Sequence, residues 1–515
     1  MELSSLAPAP AHAMRRARNR ISPLHLLAIT AISTSLACNR GTPADASVSD
    51  ATADDATLED VSEDSTPSMD AAPRPPAWPH ELQPASAWGS DLTAPQRSVR
   101  VIIHAHSVHS HDACDGNPYV DGGPNEPCLQ SFRRALCRTR VDAVFITEHS
   151  SLMAEGPFER VLQTRAGDRV EMEGGRAVAY SFDCDNGHTV TVLPGAENEL
   201  MPIALREHPQ TLPSMDLVQT YRTASVESVA NFRAAGGFVV IPHAEQKEVA
   251  FALSLRPDGT ELYNVHANLD PRIAGPYLNV DIGDFFADIP RFIDPGFRTE
   301  PDLLFLGLFR ENVPDFIRWS ALWLDGQTVV GVAGSDAHEN TIQRLLADGE
   351  RGDSYRRVFR WFNNELIIDG PVTRASLLAG LRAARARVRF EAWGSAEGFR
   401  FNVASGGSRS LADGSTVALS SNPVLEVTAP RVLGLDPSLP APVIRVRVFK
   451  ADSRAPTGWT EVASDPRELR FTVTEAGVYR AQADITPNHA RPYLPRLERY
   501  VREVPWIYSG AVRVQ

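Results

Sequence analysis

The residues able to do chemistry fall in short runs, each following an apolar stretch. His104-Ala105-His106 closes VRVIIHAH, and Glu148-His149 closes VDAVFITEH. Glu197 stands in VLPGAENE, His243 in GGFVVIPHAE, and Asp336 and His338 in GVAGSDAHE. Imidazole and carboxylate together suit Zn²⁺, Mn²⁺ or Fe²⁺. The donors outnumber what one ion needs, so the set implies two or three divalent ions. A central carboxylate can bridge two cations and lower their repulsion. Such a cluster lowers the pKa of a bound water, clamps an anionic substrate and stabilises a developing oxyanion.

To bring these donors together, the chain must return to one place five times. Nearly continuous apolar runs at 99–103, 143–147, 189–193, 238–241, 303–308 and 328–332 predict strands buried on both faces. Helical patterns occupy 129–138, 217–235, 313–324 and 373–386. Alternating strands and helices argue for an α/β fold with a parallel sheet or (β/α) barrel, whose strand ends open on one face. Residues i and i+2 of a strand share a face, so His104 and His106 reach one ion. Beyond about residue 396, strand-like segments dominate, at 424–428, 443–450, 469–474, 477–483 and 511–514. They predict a small all-β sandwich over 396–515.

The five runs, in this order, resemble the PHP (polymerase and histidinol phosphatase) family over about residues 97–390. The resemblance implies a distorted (β/α)7 barrel at 95–395 with metal-dependent phosphoesterase activity. It also implies a ligand set. His104 and His106 bind a first metal with Asp336; Glu197 bridges to a second, which His243 binds. His149 and His338 bind a third, together with His111 or Asp112. A further histidine is expected between Glu197 and His243, and His208 is the candidate. Catalytic roles fall to Glu197 and His149. Arg310, in GLFREN, either contacts phosphate or forms a salt bridge at the rim. The chain departs from the family at Glu148, where Asp is typical, and at PHAE over 242–245. Glu148 is expected to orient an imidazole from behind. His188 and His266 read as core histidines.

The function implied is an exported phosphoesterase using two or three divalent ions (Zn, Mn or Fe). Its substrate is a phosphorylated small molecule or a phosphodiester. Two alternatives stand beside it. One is an amidohydrolase-type enzyme acting on C–N or C–O bonds, whose binuclear form often bridges its metals with a carbamylated lysine. Lys247 and Lys450 are the sole lysines; Lys247 lies four residues past His243 rather than at a strand end, and Lys450 falls in the C-terminal β region. The other is a non-catalytic metal-binding surface lipoprotein, against which the full donor set argues.

Arg15, Arg16, Arg18 and Arg20 precede an apolar run at 21–37 and then Cys38. This predicts a signal peptide over 1–38. SLAC at 35–38 resembles a lipobox, so the protein is expected to be exported and anchored at the periplasm or cell surface by a lipid on Cys38. Residues 39–80 read as a disordered acidic linker, because 41–73 hold nine acids and no Lys or Arg. Export makes Cys114, Cys128, Cys137 and Cys184 candidates for two disulfides, with three pairings open. The stretch 114–128 is expected to form a stapled rim over the site. The 515-residue chain carries a formal charge of −13. Nothing in it forms the basic footprint of a nucleic-acid binder. The sequence leaves the oligomeric state open.

Overall fold

Five of the predicted apolar segments and one strand that the hydropathy pattern did not single out pair side by side as parallel strands. They are β1 (Gln96–Ala105), β2 (Ala143–Ile146), β3 (Thr189–Leu193), β4 (Phe238–Ile241), β5 (Gly259–Asn264) and β6 (Val330–Ala337). Their order in space is β3-β2-β1-β6-β5-β4. Continuous burial along β2, β4 and β6 accounts for the apolar runs there, as expected of parallel strands covered on both faces. The computed structural model describes residues 75–515 other than Ser90 and Asp91. The expected signal peptide, Cys38 and most of the expected linker lie outside the described residues. Among the described residues, no helix is long and apolar enough to cross a membrane.

The array does not close into a (β/α)7 barrel. Its two ends approach through an isolated bridge between Gly195 and Ile203. Antiparallel strands flank it: Arg176–Asp183 pairs with β3, and Met201–Ile203 pairs with β4. Phe362–Asp369 pairs antiparallel with the first half of β1 and carries the sheet onward through Ala386–Phe390 and Val504–Val514. The C-terminal strands Gly477–Thr486, Val443–Ala451 and Trp459–Asp465 extend this same sheet. A separate four-stranded sheet contains Arg400–Ser405 and Val424–Thr428. The expected boundary at 395/396 is therefore no break in the sheet, and the described chain belongs to one compact unit.

Several expectations need correcting. The run at 303–308 is not a strand but part of a 3₁₀ helix, Pro301–Gly307. Glu300 caps it, Pro301 opens it, and it is buried on nearly every side, so its apolar run carries no strand period. The strand in this part of the array is β5, GTELYN, where Thr260, Glu261 and Asn264 interrupt the apolar pattern yet are buried. The helix expected at 217–235 is two helices, Leu217–Arg222 and Val226–Ala234. Ser225 breaks the run by capping the second, accepting from Ser228 N. Residues 75–80 are packed rather than part of a tether. Trp78 is buried edge-on to Tyr493, ring centroids 4.9 Å apart, and Tyr493 Oη donates to Pro76 O at 2.7 Å.

The four cysteines pair as Cys114–Cys128 and Cys137–Cys184. The first staples the loop after β1. The second ties the helix Glu126–Arg138 to the strand pair ahead of β3.

Candidate metal centre

The C-terminal ends of the six parallel strands deliver the chemistry-bearing residues. His104 sits at a register shift in β1, between Ile103 and Ala105. Its φ is 61°, in the left-handed region. Strand alternation alone therefore does not aim this residue; a local bulge does. His243 (φ 45°) and Asp336 (φ 49°) share that unusual backbone. Three strand-end donors held in a conformation that costs energy mark a site whose geometry the surrounding fold enforces.

Each buried imidazole is held from behind. His104 Nδ1 donates to Glu261 Oε1 at 2.6 Å. His106 Nδ1 donates to Ser110 Oγ at 2.7 Å, and Ser110 Oγ donates to Glu148 Oε2 at 2.8 Å. His338 Nδ1 donates to the Asp336 carbonyl at 2.9 Å. These bonds fix the tautomer, so each Nε2 presents a lone pair forward. The Nε2 atoms of His104, His106 and His338 are all buried and have no hydrogen-bond partner. Buried polar atoms are rarely left unpaired. His104 and His106 Nε2 both face Asp336 and His338 Nε2 faces Asp112, as donors to bound cations would.

The spacing of the forward atoms fits too. Two donors about 2.1 Å from one ion lie roughly 3.4 Å apart at the tetrahedral angle. His104 Nε2 and His106 Nε2 are each 3.2 Å from Asp336 Oδ1, without hydrogen-bond alignment. His243 Nε2 is 3.6 Å from Glu197 Oε1 and 3.5 Å from Asp336 Oδ2. His149 Nε2 is 3.4 Å from Asp112 Oδ2, and His338 Nε2 is 3.5 Å from Asp112 Oδ1. Glu197 also lies within ligand reach of His104 and His106, as His149 does of His106 and His338. The three sets adjoin one another. Asp336 faces two of them with different oxygens, and His149 Nδ1 lies 3.0 Å from Glu197 Oε2.

Electrostatics follow this geometry. Burial opposes charge on His104, but Asp336 and Glu261 outweigh it and raise its pKa well above the usual imidazole range. Burial and the neighbouring His338 push His106 the other way. Burial is likewise outweighed at His149, raised to about 10 by Asp112 and Glu197. Glu245 and Asp336 raise His243 to about 9 against its burial. Against its own burial, Glu197 is held down to about 2 by His149 and His104. Protons and metal ions therefore compete for the same nitrogens.

The loops around the cluster are tied together. Tyr355 Oη donates to the carbonyls of His106 and His338, at 3.0 and 3.2 Å. Cys114 N donates to His338 O at 2.9 Å, and Arg351 pairs with Asp115 at 2.9 Å. The stapled loop thereby holds Asp112 against the His338 loop. An added Cβ at Gly334 would collide with Glu261 Oε1 and crowd His104 Nδ1. Only glycine leaves room there for the carboxylate behind His104.

The structure brings together His104, His106, Asp112, His149, Glu197, His243, Asp336 and His338. His111 is exposed but within ligand reach of Asp112 and His149. Of the two candidates after the first run, Asp112 touches both His149 and His338. His208 does not join the cluster. Its Nδ1 meets Tyr221 Oη at 2.9 Å and its Nε2 meets Gly156 O at 3.0 Å, so both nitrogens are engaged elsewhere. Arg310 is exposed, its guanidinium donates to the adjacent Phe309 O at 2.9 Å, and it forms no salt bridge among the described contacts. Lys247 pairs with Glu199 and lies outside the donor sets. His266, expected in the core, stands at the cluster instead, with Nδ1 3.8 Å from Asp336 Oδ2.

Glu261, Ser110 and His266 were missed in the sequence. A carboxylate inside the otherwise hydrophobic ELYN was the available signal for Glu261, and a histidine just past that strand was the signal for His266. Nothing in SVHSHD singled out Ser110.

No family model and no curated protein matches the chain. Among solved structures, it resembles a two-domain protein from Bacteroides vulgatus ATCC 8482 described as containing a predicted PHP-like metal-dependent phosphoesterase. The identity is 12% and the TM-score 0.32, covering 86% of this chain and 100% of that one. So slight a likeness carries no argument, and the functional reading rests on the site.

Proposed function

We propose that the protein is an exported metal-dependent phosphoesterase of the PHP type, working with two or three divalent ions. The observation that carries this reading is that three buried, unpartnered imidazole nitrogens face carboxylates at ligand spacing, His104 and His106 Nε2 at Asp336 and His338 Nε2 at Asp112. His104, His106 and Asp336 would hold one ion; Glu197, His243 and Asp336 a second; His149, His338 and Asp112 a third. When bound, the ions would lower the pKa of a water to give a nucleophile at neutral pH and neutralise the nonbridging phosphate oxygens. The chain's own residues do the rest. Glu197 keeps its charge at all working pH values, since its pKa is held to about 2. Glu261 and the Ser110–Glu148 pair lock the imidazoles behind the site. His149 stands at the open edge, 24% exposed, with Nδ1 on Glu197. A substrate phosphoryl group would approach from this exposed edge.

Export is supported by the basic and apolar N-terminal run and by two disulfides, which persist in oxidising compartments. A lipid at Cys38 would place the enzyme at a membrane surface. Lys247, bound to Glu199 and outside the donor sets, weighs against the lysine-bridged alternative. The test is hydrolysis by purified full-length protein, loaded with Zn, Mn or Fe, across phosphomonoesters, phosphodiesters, amides and lactones. The proposal predicts phosphoester hydrolysis that His104→Ala abolishes. Hydrolysis of amides or lactones alone would overturn it.

A further inference from the structure

His208, the further histidine expected of the ligand set, is engaged with Tyr221 and Gly156 and supplies no nitrogen to the cluster, whereas the second donor set holds a single imidazole. Its donors are Glu197 Oε1, His243 Nε2 and Asp336 Oδ2. A second imidazole stands beside them. His266 lies in the short helix Val265–Leu269 that follows β5 directly. Its Nδ1 is 3.8 Å from Asp336 Oδ2. Its ring is 6.0 Å from that of His243 and inclined at 74° to it. The side chain is 37% exposed, at the open edge of the cluster, so it fills no core position.

His266 also shows the division of labour seen in the other cluster histidines. One nitrogen is held by an acceptor, and the other faces the shared carboxylates. Here the roles of the two nitrogens are exchanged. Nε2 lies 3.4 Å from Asp270 Oδ2, and Nδ1 points at Asp336. Asp270 is fixed in turn by Arg272, whose Nε is 3.0 Å from both carboxylate oxygens. Carboxylate–histidine pairs of this kind orient metal ligands. The backbone is anchored as well. Asn264 Oδ1 accepts from His266 N at 2.8 Å, while Asn264 Nδ2 donates at 3.1 Å to Glu261, the carboxylate behind His104. One asparagine therefore sets the positions of both histidines.

We infer that His266 Nδ1 is a ligand of the second metal, with Asp270 as its positioning residue. The inference rests on the proposed metal centre. The three separations around Asp336 Oδ2 and Glu197 Oε1, at 3.5, 3.6 and 3.8 Å, suit donors of one ion.

The test uses the full-length chain, loaded with Zn²⁺ or Co²⁺, desalted and measured for metal per protein and for the visible Co²⁺ spectrum. His266→Ala loses one ion per chain and the corresponding part of the cobalt absorption. His266→Asp, which restores a donor, recovers the ion. Asp270→Asn leaves the imidazole present and weakens that one ion by about 10- to 100-fold in chelator competition. His208→Ala keeps the full complement. An unchanged metal content and cobalt spectrum in His266→Ala, or loss of the ion in His208→Ala alone, would overturn the inference. Wild-type protein binding no divalent ion would overturn the metal centre itself, and this inference with it.

Discussion

Glu261→Gln removes a charge and almost no volume, so it isolates what the carboxylate does for the site. In the native protein Glu261 accepts on both sides. Oε1 takes His104 Nδ1 at 2.6 Å, and Oε2 takes His243 N at 2.8 Å and Asn264 Nδ2 at 3.1 Å. A glutamine has one acceptor oxygen and one NH₂ group, and cannot serve both sides. If its oxygen keeps the His243 N–H, its NH₂ confronts His104 Nδ1. The imidazole then shifts its proton to Nε2, the atom needed for a metal. Loss of such an outer partner costs about 10- to 100-fold in metal affinity, or roughly 1.4–2.7 kcal/mol. Chelator competition with Zn²⁺ or Mn²⁺ reads this directly. Glu365→Gln is the control: that buried carboxylate pairs with Arg389 and Ser98, among contacts separate from the donor sets. It is expected to lower stability and leave metal affinity unchanged. Metal affinity in Glu261→Gln within twofold of wild type would refute the reasoning.

Further outcomes follow from the same geometry. Replacing both Cys114 and Cys128 by Ser releases a loop spanning a 14-residue separation, costing about 3 kcal/mol in denaturant unfolding. It also weakens the ion shared by Asp112 and His338; metal retention equal to wild type would show that the staple does not position Asp112. In metal-free protein, His149 and His243 have pKa values raised to about 10 and about 9. Their protonation stabilises the fold fully below about pH 6.5, and that stability is lost as pH rises through 9 and 10. Chelator-treated protein should thus unfold at lower denaturant at high pH than near neutrality, while metal affinity rises over the same window; a flat stability profile would contradict this. Arg310→Ala is expected to leave phosphoester turnover within twofold, whereas His208→Ala costs about 1–3 kcal/mol of stability by unpairing buried Tyr221, with metal content intact. A turnover loss of tenfold or more in Arg310→Ala would restore it to the site.

The donors were legible because metal chemistry restricts residue types and parallel strands present them in a rhythm. Apolar runs ending in His or Asp located β1, β2, β4 and β6 together with their cargo. Several features escaped for physical reasons. β5 is an interior strand that spends its buried positions on Glu261 and Asn264, so hydropathy undervalues it. The 303–308 run is apolar because it is buried on nearly all sides, a condition that strand and 3₁₀ helix share. Arg387, Arg389 and Glu365 bury charge in the strands that carry the sheet onward, through the ion pair of Glu365 and Arg389, which masks their strand character. His208 was chosen by its place in the chain alone, and place in the chain does not encode where a loop turns. The disulfide pairing needed distances, which spacing does not supply.

Elemental analysis of purified full-length protein for zinc, manganese and iron tests the central claim most directly. The account predicts two to three divalent ions per chain, falling in His104→Ala and in Asp336→Asn without loss of the fold by circular dichroism. A folded wild-type protein that holds no divalent ion after loading and desalting would contradict it.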